Sequence, residues 1–98
     1  MANYSFASEI KLVPTFYLST SSFEYYDWED AMEEFLWGRG LDSHKKIFFA
    51  KRTFSMQVLQ WWIYLQQQHI AKGGNPCRTW KGMKVMLQRR FHPPLKAK

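Results

Sequence analysis

Apolar side chains recur at steps of three and four residues in four segments of this chain, and glycines, prolines or capping residues separate the segments. Such steps match the 3.6-residue turn of an α-helix and place the apolar residues on one face. The pattern predicts helices over residues 24–37, 43–53, 55–72 and 79–91. Because 98 residues suit one domain with a single core, we expect an all-α fold of about four helices in a compact orthogonal bundle.

The boundaries of these helices follow from local signals. Gly38 is expected to end the first helix, and the Gly-Gly-Asn-Pro sequence of residues 73–76 the third. The Ser-Thr-Ser-Ser sequence of residues 19–22 supplies N-cap candidates for the first helix, and Asp42, Ser55 and Thr79 are the candidates for the second, third and fourth. The residues predicted to face the core are Tyr25, Trp28, Met32, Phe35 and Leu36; Ile47, Phe48, Phe49, Ala50 and Phe54; Met56, Leu59, Trp62, Ile63 and Ile70; and Trp80, Met83, Leu87 and Phe91.

The amino-terminal segment lacks a helical period. Residues 13–17 are short, apolar and contain a proline, which favours an extended conformation. We therefore divide the chain into an extended arm at residues 1–22, a helical domain at residues 23–94 and a basic tail at residues 95–98.

Charge is strongly segregated along the chain. Residues 1–42 carry all eight acids and two of the 14 Lys and Arg, a net charge of −6. Residues 43–98 carry the other 12 basic residues and no acid. This asymmetry makes head-to-tail association or contact with an anion plausible.

Several features indicate the compartment. Cys77 is the single cysteine, so no internal disulfide can form, which fits a reducing environment. The sequence contains no secretory signal and no apolar run of membrane-spanning length. We expect a cytoplasmic protein, with the nucleus as the alternative, and no membrane partner.

An ordered set of residues carries a resemblance to a known family: Phe16, Trp28, Phe35, Lys46, Ile47, Ala50, Trp61, Trp62, Leu65, Trp80, Lys84, Leu87, Arg90 and Phe91. Over residues 13–94 the chain resembles the Gag domain of plant gypsy-type long-terminal-repeat retrotransposons, the amino-terminal part of their capsid. The resemblance implies a helical, non-enzymatic capsid lobe that self-associates. If the chain is a domesticated host protein, it implies binding of Gag-like, viral or host proteins and interference with them, as an antiviral factor would. Either an excised domain or a complete short protein would fit.

Candidate catalytic and metal-binding residues do not form a recognisable pattern. The acids of the first helix lie on its polar face, where solvation opposes the raised pKa that acid–base catalysis requires. Cys77 and the three histidines, His44, His69 and His92, match no zinc-ligand spacing. We therefore expect no enzyme activity, no metal and no cofactor.

Three aromatic residues are candidates for a protein interface. The resemblance implies that Phe16 and Tyr17 form an arm, packed either on its own domain or on a neighbour. Trp61 points about 100° away from Trp62 on a helix, so one of the two must face a different neighbour. These candidates imply two alternative interfaces, an arm-mediated homodimer and a groove beside Trp61.

The basic carboxy-terminal half offers an alternative function. Lys81, Lys84, Arg89 and Arg90 lie on the fourth predicted helix. Without nearby acids they could contact RNA phosphates, and the resulting affinity would be weak, non-specific and sensitive to salt. The alternative is a solvated basic face that the acids of the first helix partly neutralise.

Overall fold

A computed structural model describes residues 10–91, and within them it contains four α-helices and no strand. The all-α class and the four helices are confirmed, with boundaries within two residues of those predicted. Predictions for residues 1–9 and for the basic tail lie outside the described residues. The elements are a turn of 3₁₀-helix at Ile10–Leu12, α1 at Ser22–Leu36, α2 at Ser43–Arg52, α3 at Met56–Ala71 and α4 at Trp80–Phe91.

Side-chain caps start the helices at the predicted places. Ser21 and Glu24 form a capping box, in which the Ser21 hydroxyl accepts from the Glu24 N–H and the Glu24 carboxylate accepts from the Ser21 N–H. Asp42 and Ser55 cap α2 and α3, and the side chain of each accepts a hydrogen bond from the backbone N–H three residues on. The Thr79 hydroxyl accepts from a backbone N–H in the first turn of α4. Each cap satisfies an amide that the helix cannot bond internally.

The core is centred on Phe16, which is fully buried. Its ring lies edge-on to Trp28 and Phe91, with centroids 4.7 and 4.6 Å away. The Phe16 N–H donates to the Thr53 carbonyl and the Ser55 N–H donates to the Phe16 carbonyl, both at 2.8 Å, in a parallel bridge. The segment before α1 is therefore part of the core of its own domain. It is not extended throughout, because Ile10–Leu12 form a helical turn.

Two buried polar groups are paired inside this core. The Trp28 indole N–H donates to the Thr53 hydroxyl, and that hydroxyl donates to the Ala50 carbonyl, both at 2.7 Å. These two hydrogen bonds join α1 to the end of α2, and both buried donors, the indole N–H and the hydroxyl, have an acceptor.

Of the five α3 residues predicted to face the core, three are exposed, Trp62 is buried and Leu59 is partly buried against the core. Met56, Ile63 and Ile70 are exposed, whereas Trp62 is buried together with Val58. The prediction failed because α3 is apolar on more than one side, and periodicity alone does not select the side that packs. Phe48 on α2 is also exposed rather than inward.

Candidate protein-interaction surface

One side of α3 exposes a row of large apolar side chains. Met56, Ile63, Tyr64 and Ile70 are 68, 46, 59 and 53% exposed, respectively. We call these four residues the α3 outer face. Met56, Ile63 and Ile70 are seven residues apart, so they drift by only about 20° per step and form a stripe roughly 21 Å long.

The α3 outer face lies opposite the side of α3 that packs into the core. At 100° per residue, Val58 and Trp62 lie roughly 200–240° around the helix from Met56, and both are buried. Leu59 and Leu65 lie partly buried between the two sides. The helix therefore carries enough apolar residues both to close the core and to cover a second surface.

The α3 outer face is also free of charge. Met56–Ala71 contains no Asp, Glu, Lys or Arg, although 22% of the chain is charged. The polar residues nearest the stripe are Gln60 and Gln67, which are exposed and neutral. A neutral apolar surface on a chain of net charge +6 can be covered by a partner without burying an ion.

Exposed aromatic residues elsewhere form smaller groups, such as Phe23 and Tyr26, which lie three residues apart near the start of α1. Phe23 and Trp37 lie at opposite ends of α1 and are both highly exposed. Single exposed apolar residues are ordinary on protein surfaces. The α3 outer face differs because its four members lie on one helix.

The two predicted arm residues have different surroundings. Phe16 packs in the core of its own domain, so its ring offers no surface to a partner while the bridge to Phe54 is in place. Tyr17 is 54% exposed, and its N–H donates to the Thr20 hydroxyl at 3.1 Å. The described part of the arm, residues 10–22, packs on its own domain through Ile10, Val13 and Phe16.

Trp61 points away from Trp62, as helical geometry requires, and is partly buried. Its ring lies edge-on to Phe91 at a centroid distance of 5.5 Å, which places it against the end of α4. Tyr64 follows it by three residues on the same helix, within neighbour distance. Trp61 therefore borders the α3 outer face through Tyr64.

The four predicted RNA-contact residues do not all lie on one face of α4. Their positions spread over roughly 240° of the α4 circumference. Lys84 forms an ion pair with Glu33 of α1, and its Nζ lies 5.5 Å from the Trp80 ring centroid. The Arg90 guanidinium lies 5.0 Å from the ring centroid of Phe91. The remaining two, Lys81 and Arg89, are exposed.

A different basic cluster, not predicted from the sequence, lies beside Cys77. Two clefts of about 430 and 420 Å³ share Cys77 and Arg78 in their walls; Lys81 lines the first, and His44 and Lys51 line the second. No acid lines either cleft. Sequence spacing could not reveal this cluster, because its members come from α2, the loop before α4 and the first turn of α4.

Two titratable groups in the described residues have raised pKa values, which favours their neutral forms. Burial raises the pKa of the Cys77 thiol, which disfavours the reactive thiolate. Burial, followed by the hydrogen bond to Glu29, raises the pKa of Tyr25, whose hydroxyl donates to the Glu29 carboxylate at 2.5 Å. Gln88 of α4 donates to the same carboxylate oxygen at 3.1 Å, so this group ties α1 to α4.

Within residues 10–91, no three His, Cys, Asp or Glu side chains converge as metal ligands. Over the same residues, no helix has the length and apolar character needed to cross a membrane. Comparison with protein families, curated proteins and solved structures found no match.

Proposed function

We propose that this chain is a non-enzymatic, retrotransposon Gag-like capsid lobe that acts through protein–protein contacts. Its activity is self-association or, in a domesticated host factor, binding of Gag-like, viral or host proteins and interference with them, in the cytoplasm or alternatively the nucleus. The observation that carries the proposal is the α3 outer face, an uncharged apolar stripe on a chain rich in charge.

The physical basis is the free energy of removing this stripe from water. Each large apolar side chain that becomes fully buried contributes about 1.5–3 kcal/mol. The members of the α3 outer face are roughly half to two-thirds exposed, so each retains much of that free energy for an interface. Apolar side chains clustered on one surface are typical of interaction sites, and a helix that presents apolar residues at regular steps suits helix-in-groove or helix–helix contacts.

The proposal is tested by the mass in solution, measured by light scattering over a concentration series at low and high salt, with and without added RNA. We expect a species larger than the monomer that forms with increasing protein concentration, needs no RNA and persists at high salt. A protein that stays monomeric to high concentration and binds no protein partner would contradict the proposal.

A specific observation favours weak RNA binding as a second candidate function. The clefts beside Cys77 bring Lys51, Arg78 and Lys81 together with no acid in their walls, as phosphate contacts require. Under this alternative, RNA affinity falls steeply with salt, and both Lys51→Glu and Arg78→Glu weaken it, whereas Arg89→Glu has a smaller effect. Retention of RNA that is absent or independent of salt would rule the alternative out.

A further inference from the structure

We propose that the partner of the α3 outer face is a second copy of this chain, whose α3 packs antiparallel to the first around a two-fold axis at Ile63. This inference rests on the proposed function, because it assigns a partner and a geometry to the same surface.

The register of the stripe favours a symmetric antiparallel pair. Ile63 lies midway between Met56 and Ile70, seven residues from each. In an antiparallel pair, Ile63 therefore meets Ile63 of the other copy, and Met56 meets Ile70 at both ends. A two-fold interface requires such a surface, in which the same residues of both copies face each other. The seven-residue spacing of the stripe is also the spacing found in helices that pack side by side.

Charge favours the same arrangement. Two copies of a chain with net charge +6 repel each other at most orientations, but the α3 outer faces can meet without placing like charges opposite each other. Antiparallel pairing also places the positive amino-terminal end of one α3 beside the negative carboxy-terminal end of the other. Gln60 and Gln67 border the stripe and can exchange neutral hydrogen bonds across the pair.

The net charge of the chain predicts an unusual response to salt. Each copy carries a net charge of +6, so two paired copies repel each other as whole molecules. Added salt screens this repulsion. The dimer should therefore become tighter as salt rises from low to physiological concentration, opposite to the response of an RNA-bridged assembly.

The geometry is tested by cysteine crosslinking in a Cys77→Ser background, with Ile63→Cys, Met56→Cys and Ile70→Cys prepared as separate proteins. Disulfides form only when the two Cα atoms are within about 7 Å. We expect Ile63→Cys to crosslink to itself. Met56→Cys and Ile70→Cys should each crosslink poorly alone, because the two copies of either residue are roughly 21 Å apart along the pair. A mixture of Met56→Cys and Ile70→Cys should crosslink at least about ten-fold more than either alone. Phe23→Cys in the same background measures the rate of random collision.

The mass of each uncrosslinked variant is measured in parallel, so that failure of the geometry can be told from failure of the function. Strong self-crosslinking of Met56→Cys would show a parallel pair and overturn the antiparallel one. A dimer that crosslinks at none of the three positions above the Phe23→Cys rate would place the interface elsewhere, overturning this inference while leaving self-association intact. A protein that is monomeric at all concentrations, with no crosslink above that rate, would overturn both the pairing and the self-association on which it rests.

Discussion

The hydrogen bond between Trp28 and Thr53 gives a prediction about stability that depends on one acceptor atom, the hydroxyl oxygen of Thr53. The indole N–H of Trp28 lies in a fully buried ring and donates to the Thr53 hydroxyl at 2.7 Å. Thr53→Val preserves the shape and branching of the side chain but replaces the accepting oxygen with a methyl group. The indole N–H then has no acceptor, and water cannot reach it.

The expected loss follows from the cost of an orphaned buried donor, about 1–3 kcal/mol of unfolding free energy. In a domain of this size each kcal/mol corresponds to about 4–8 °C in melting temperature, so the shift should be roughly 5–20 °C. Thr53→Ser retains the hydroxyl and removes one methyl group, and it should cost less.

Urea unfolding followed by far-ultraviolet circular dichroism measures the effect, at a protein concentration low enough to keep association from contributing. A double-mutant cycle with Trp28→Phe isolates the hydrogen bond, since this change removes the donor. In the Trp28→Phe background, Thr53→Val should cost at least about 1 kcal/mol less than in the parent. An equal cost in both backgrounds, or no cost in the parent, would refute the reasoning.

Three further predictions concern the arm, a surface ion pair and a buried phenol. Phe16→Ala should lower the unfolding free energy by about 3–5 kcal/mol in urea titrations, because it empties the centre of the core; a loss below 1 kcal/mol would show that the arm is not part of the core. Lys84→Met should change stability by less than about 1 kcal/mol, because the pair with Glu33 is partly solvated, and a larger loss in thermal melts would contradict this. Tyr25 has a raised pKa in the fold, so the unfolded chain loses its phenol proton first, and stability should fall as pH rises above the ordinary phenol value near 10. Melting temperatures between pH 8 and 11 test this, and Tyr25→Phe should decline less steeply than the parent; equal slopes would contradict the assignment.

The sequence was sufficient to predict those features that depend only on residues close together in the chain. The capping serines and the apolar period of α1 placed that helix and its buried residues, including Trp28 and Met32. In this helix the acids occupy most of the side away from the core, so a single face carries a continuous apolar period. The apolar period of α1 therefore identifies a single side of the helix as the one that faces the core.

The sequence was insufficient where several sides of a helix are equally apolar or where residues meet across the fold. In α3, nothing local distinguishes Val58, which is buried, from Ile63, which is exposed. Which side of α3 is buried depends on its contacts with other parts of the fold, such as that of Trp61 with Phe91 of α4. The basic clefts depend likewise on the approach of Lys51 to Arg78, which are far apart in the chain.

The most direct test of the central claim is sedimentation equilibrium of the parent protein beside Ile63→Glu and Phe23→Glu. Both variants replace an exposed apolar side chain with an acid, but only the first changes the α3 outer face. The parent and Phe23→Glu should associate with similar dissociation constants. Ile63→Glu should associate about 100-fold more weakly, since a buried carboxylate meets its own copy at the two-fold axis and like-charge contacts cost several kcal/mol. Unchanged association of Ile63→Glu, with circular dichroism showing all three proteins folded, would contradict the account.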